Sequence, residues 1–283
     1  MPGIRIGASG FINAAEWTQR RLEAFAVAQP AGNRLMKAHA MIRDVNERRI
    51  ILRANDERAL YCVTEAIWTV LEQYIVARAL GAPGRVLHPI QFSKLEMMLS
   101  GADTEDEDKN PLARNTQFEL YAGATLIMGD VRTRLAEPDL RADYLGREIS
   151  IAAKRVRSAK QLTKRAKDAV DQITDSGLPG IAALNVDLLL RKTGAGDLDT
   201  EQLAERLAAI KEVDKLLSKH EEVLGSLIFA RDAVWKFSGD KPSVALASWH
   251  RFAVYPRTPE EKERGEEFWR KARERIDARM DNL

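Results

Sequence analysis

From about residue 14 to residue 99, apolar side chains recur every three or four positions, the spacing of helices that bury one face. The densest run is Ala59 to Leu71, continued by Tyr74, Ile75 and Ala79. A helix apolar over so much of its circumference is central to its own bundle or lies in a dimer interface. Between Gly101 and Pro111 no apolar residue exceeds alanine, and five of the six positions 103–108 are acids, which reads as a solvated acidic linker. Beyond it the period changes. A helix is expected at about 113–128, then short strands at 131–135, 139–144 and 148–156. A basic helix at 158–174, a buried strand at 180–187 and a charged helix at 199–223 follow. Apolar strands at 226–236 and 244–255 precede a last charged helix at 259–281. The pattern predicts an all-helical N-terminal module over 1–100, a linker over 101–111, and an α/β domain over 112–283 built on a mixed central sheet.

Composition narrows the chemistry. Hydrophobic content of 45% and charged content of 30% suit a chain with a sizeable core. The single Cys62, in an apolar helical stretch, excludes an intramolecular disulfide and a cysteine-rich zinc site. The four histidines stand far apart and form no HExxH pattern. No long apolar run follows basic residues at the N-terminus and no segment is apolar enough to span a bilayer, so a cytoplasmic protein without membrane partners is expected. Thr193-Gly-Ala-Gly-Asp197 lacks the Gly-Lys-Ser/Thr ending of a phosphate-binding loop.

The candidate chemistry lies between Glu119 and Lys154. Pro138-Asp139 opens one strand, Gly146 marks a turn, and the returning strand ends near Lys154. Side chains alternate along a strand, so Glu148, Ser150, Ala152 and Lys154 share one face and Ile149, Ile151 and Ala153 the other, which is expected to be the core face. Lys154 then projects beside Asp139. Magnesium, or manganese in its place, takes oxygen ligands and keeps several waters. Glu119, Asp139 and the Ala153 carbonyl are candidate donors, with Lys154 orienting or deprotonating a water and neutralising charge on a phosphate.

With Glu119 on the leading helix, Pro138-Asp139 on the second strand and Lys154 at the end of the third, the segment 112–190 resembles the PD-(D/E)XK, or restriction-endonuclease-like, superfamily. The resemblance implies a mixed-sheet core and magnesium-dependent nuclease cleavage of nucleic acid, with Glu119, Asp139 and Lys154 as catalytic residues and Glu119 and Asp139 on the metal. It also implies an Asp or Glu two residues before the lysine, where this chain has Ala152. Glu148 shares that face but stands about 13 Å away at strand rise. Glu137, Gln161 and Gln172 are the alternative donors.

From Lys154 to Lys167 the chain carries seven basic residues and no acid. Lys160, Lys164 and Lys167 form one ridge of a helix, and Arg155 and Arg157 lead up to it. Such a ridge suits phosphate-backbone contacts to a nucleic acid, DNA in the first instance. Two readings follow: a metal-dependent nuclease hydrolysing phosphodiester bonds of DNA, or a catalytically inactive protein of the same fold that binds nucleic acid or acts as a scaffold. In either, the N-terminal helices are assigned to self-association or to a protein partner.

Overall fold

Five amphipathic segments become helices: α1 (Ala8–Ala24), α2 (Arg34–Asn46), α3 (Glu57–Leu80), α4 (Pro89–Leu99) and α5 (Leu112–Met128). The computed structural model describes residues 8–80, 89–104, 107–108, 111–136, 139–190, 200–238 and 241–280. Asn33 caps α2 by accepting the Met36 N–H at 3.1 Å, satisfying one of the free donors of its first turn. Helices α1 and α2 pack on α3, whose Leu60, Val63, Trp68, Val70, Leu71, Ile75 and Val76 are all buried. Of the two roles open to α3, it fills the centre of its own bundle.

Polar side chains are buried along α3 as well. Glu65, Thr69, Glu72 and Gln73 follow helical spacing; the first three meet Arg114 of α5, Arg34 of α2 and Gln117 of α5, and the Gln73 amide donates to the Met98 carbonyl. Arg114 donates to Glu65, to the carbonyls of Ala102 and Asp103, and faces Asp108. Thr104 and Asp108 are buried in consequence, so at these two positions the acidic segment is packed rather than solvated.

The chain divides into two compact units. The first comprises residues 1–124 and 233–246, the second 125–232 and 247–283. The division falls inside α5, and segment 101–111 belongs to the first unit. Within that unit the Trp235 indole N–H donates to the Thr64 hydroxyl at 3.0 Å.

The rest of the chain is organised by a six-stranded mixed sheet, most of which lies in the second unit and the remainder, within 233–246, in the first. In chain order its elements are β1 (Thr133–Leu135), β2 (Leu140–Tyr144), β3 (Arg147–Arg155), α6 (Ala159–Asp175), β4 (Gly180–Asn185), α7 (Asp187–Leu190), α8 (Thr200–Leu217), β5 (Val223–Ser238), β6 (Lys241–Val254) and α9 (Pro259–Met280). The strands lie in sequence order. β1, β2 and β3 are antiparallel neighbours, and β3, β4 and β5 are parallel. Leu145 and Gly146 both take left-handed backbone angles, the signature of a two-residue turn matched to strand twist.

The expectation of a one-sided core on β3 is corrected. Ser150 and Ala152 are as fully buried as Ile149 and Ile151. Parallel pairing with β4 requires a crossover helix, and crossover helices cover the face that a simple hairpin leaves wet. Here α6 lays Leu162, Ala166, Ala169, Val170 and Ile173 into one cluster with Ala152, Ala182 and Leu184, joined by Ile210, Val213 and Leu217 of α8. Gly180 fits because a side chain there would stand 2.4 Å from Ser150 Oγ and 2.7 Å from its carbonyl oxygen. Elsewhere Trp269 of α9 stacks between Phe252 and Tyr144, at centroid distances of 4.4 and 5.6 Å.

Candidate functional site

The β2–β3 register sets the geometry of the predicted pair. Leu140 stands opposite Ile151, so Asp139, one residue earlier, reaches the end of β3. Its Oδ2 accepts the Ala153 N–H at 2.7 Å and lies 3.2 Å from Lys154 Nζ. The ammonium also donates to the Ala153 carbonyl at 3.2 Å. Both donors converge on one carboxylate oxygen, leaving Asp139 Oδ1 without a hydrogen bond among the described residues. The pair is nearly but not wholly enclosed, with side-chain exposures of 9% for Asp139 and 14% for Lys154.

Glu119 belongs to the first unit, on α5, where Lys94 of α4 holds its Oε2 at 2.5 Å. The structure thus brings Asp139 and Lys154 together and gives Glu119 a basic partner of its own. Pro138, Glu137 and the loop 193–197 lie outside the described residues. Gln161 and Gln172 are half-buried on α6, and each has a buried amide oxygen with no partner among the described residues.

Asp139 Oδ1 and the Ala153 carbonyl are both hard oxygen donors, the type magnesium selects. Among the described residues no group of three or more His, Cys, Asp or Glu side chains converges as a ready-made cage. The donors therefore fit magnesium only in its water-rich mode, with substrate oxygens and waters completing the shell.

The basic run divides by exposure. Arg155 is half-buried at the end of β3, while Arg157, Lys160, Lys164 and Lys167 are exposed. Arg165 pairs with Asp168 at 3.1 Å. Among the described residues no acid pairs with Arg157, Lys160, Lys164 or Lys167, so these four cations are available to an external anion.

A second polar group at the same end of the sheet escaped the sequence pattern. Asp187, just beyond β4, accepts from Asn185 Nδ2 at 2.9 Å and from Arg231 Nε of β5, and its own N–H donates to Asn185 Oδ1 at 3.1 Å. All three residues are buried. Register pairs Asn185 with Arg155, one position beyond the Leu184–Lys154 pair, so by alternation the group faces away from Lys154. The available signal was an amide and an acid ending an otherwise apolar strand, and an arginine inside the apolar run 227–235. No helix among the described residues is long and apolar enough to cross a membrane. No family model matches the chain, and neither does any curated protein or solved structure.

Proposed function

We propose that the protein is a magnesium-dependent nuclease with a restriction-endonuclease-like core, hydrolysing phosphodiester bonds of DNA at Asp139 and Lys154. The observation that supports this reading is the 3.2 Å approach of Lys154 at the end of the third strand to Asp139 at the start of the second. The order helix, three antiparallel strands, helix, parallel strand supports it further, since the resemblance rests on that order. Asp139 Oδ1 and the Ala153 carbonyl would hold the ion, which when bound supplies charge at the phosphate and a more acidic water. Lys154 neutralises charge that develops on the phosphate oxygens, and the Ala153 N–H fixes the Asp139 carboxylate in place. Arg157, Lys160, Lys164 and Lys167 grip the backbone without reading sequence.

The test is cleavage of duplex DNA with magnesium, with a chelator as control. Asp139→Asn should abolish turnover, and Lys154→Ala should slow it by about 10²–10³, the loss expected for one preorganised electrostatic donor. Cleavage by both variants at the parent rate would sink the assignment. Titration of the protein with magnesium or manganese by calorimetry, parent against Asp139→Ala, tests the metal separately.

One observation favours the catalytically silent reading. Position 152, where the resemblance expects an acid, is a fully buried alanine inside an apolar cluster. That reading expects no cleavage by the parent protein and DNA affinity unchanged in Asp139→Ala.

A further inference from the structure

Between α6 and α8 the surface opens into a groove of about 580 Å³, lined by Thr163 on one wall and by Glu212, Val213, Lys215, Leu216, Ser218 and Lys219 on the other. Thr163 is exposed, and Lys160 and Lys167 stand about one turn to either side of it on the same face of α6. Lysines therefore border the groove from both helices. Lys215 pairs with Glu212 at 2.5 Å, but both side chains are about two-thirds exposed, at 69% and 68%. A pair so exposed is weak and screened by salt, and yields readily to a stronger anion. Lys160, Lys167 and Lys219 have no acidic partner among the described residues. Asp214, the remaining acid of this stretch of α8, is turned inward and occupied by Ser226, Tyr255 and Arg251.

We infer that this groove is a second-wall phosphate track, in which Lys215 and Lys219 bind the nucleic-acid backbone opposite the lysines of α6. From Lys160 to Lys167 the helix rises about 10 Å. Phosphates follow one another at about 3.4 Å per strand along a duplex, so the ridge faces about three of them. A repeating polyanion matches such a spread of charge, whereas a single phosphate meets only part of it. The exposed Thr163 hydroxyl adds a donor on its wall without adding charge, while the Ser218 hydroxyl donates to the Lys215 carbonyl. The apolar contribution is small, Val213 and Leu216 supplying a wall rather than a base-stacking platform. The assignment therefore commits to backbone contact without sequence readout.

This inference rests on the nucleic-acid reading of the protein but not on cleavage, so its test omits metal. A fluorescein-labelled DNA duplex is titrated with full-length protein in chelator, by anisotropy, over a series of salt concentrations. For the parent, the logarithm of affinity falls linearly with the logarithm of salt. In the double variant Lys215→Gln, Lys219→Gln the slope should shrink by about 1.8, from two contacts at about 0.9 each, and affinity near 0.1 M salt should fall by on the order of tenfold or more. Lys262→Gln, on α9, should leave the slope unchanged, and unfolding curves of each variant report whether the fold is retained. A double variant that is folded and binds with the parent's slope overturns the groove while leaving the α6 contacts standing. A parent that binds no DNA at any salt overturns the groove together with the nucleic-acid reading beneath it.

Discussion

Two ion pairs, one in each unit, show how different jobs are written in similar residues. Arg114 and Glu65 in the helical unit are 6% and 2% exposed, and the guanidinium donates to Glu65 and two carbonyls, with its Nε 3.5 Å from Asp108. Lys154 and Asp139 are more open, and among the described residues the ammonium meets Asp139 and one carbonyl, while one carboxylate oxygen of Asp139 is left over. A planar fork that donates to three acceptors in a closed interior fixes neighbouring segments in one arrangement. An ammonium with a donor to spare, beside a carboxylate with an acceptor to spare, retains capacity for an incoming group. The lesson is that spare hydrogen-bonding capacity within reach of solvent, rather than ion pairing alone, separates a site from a brace. Asp187 and Arg231 stand closer to the brace, being enclosed and shared with Asn185.

The sharpest way to break this comparison is Arg114→Ala. It removes the buried cation that Glu65 and Asp108 face and should cost about 3–5 kcal/mol in urea unfolding. Replacing Arg114, Glu65 and Asp108 together by apolar residues of similar volume should recover most of that loss. The next effect lies in the sheet unit, where burial and the charge of Arg273 lower the His250 pKa to about 4. The unfolded chain then binds a proton near pH 6.5 that the folded chain refuses. Stability is therefore full above pH 6.5 and lost as pH falls toward 4, by up to about 3 kcal/mol. His250→Phe, which preserves a ring beside Phe229, should flatten that window in pH-dependent unfolding.

Gly180→Ala sharpens the comparison from the steric side. Its new methyl meets the Ser150 backbone, and the β3–β4 pairing that carries Lys154 should loosen at a cost of about 1–3 kcal/mol. The smallest loss is expected for Lys154→Ala. Asp139 keeps the Ala153 N–H and some solvent, so about 1 kcal/mol should suffice. Equal losses for Arg114→Ala and Lys154→Ala, measured by the same unfolding curve, would remove the distinction between brace and site.

The parts legible in the sequence were those governed by near neighbours. Alternation and the Gly146 turn were enough to bring Asp139 beside Lys154, because the hairpin is local. The four- and three-residue spacing of Lys160, Lys164 and Lys167 likewise marked α6 as a helix with one basic ridge. What stayed hidden depends on partners distant in the chain. The burial of Ser150 and Ala152 follows from β4 and α6, which no pattern within β3 announces. Glu119 looked like a free carboxylate because Lys94 lies 25 positions earlier, across the acidic segment. Glu65, Thr69 and Glu72 have helical spacing, but only Arg34, Arg114 and Gln117 make that face an interior one. Asp187 and Arg231 meet through the sheet alone.

The make-up of the helical unit has a consequence for how the chain matures on the ribosome. Its residues are not contiguous, since 233–246 complete what 1–124 begin, and Trp235 supplies the donor that Thr64 accepts. Synthesis runs from the N-terminus, and domains ordinarily fold as they emerge. Here the first unit to emerge must wait, incomplete, until most of the second has been translated. A fragment ending at Ala124 would be an unfinished fold rather than an independent module, and the two units are expected to appear and disappear together.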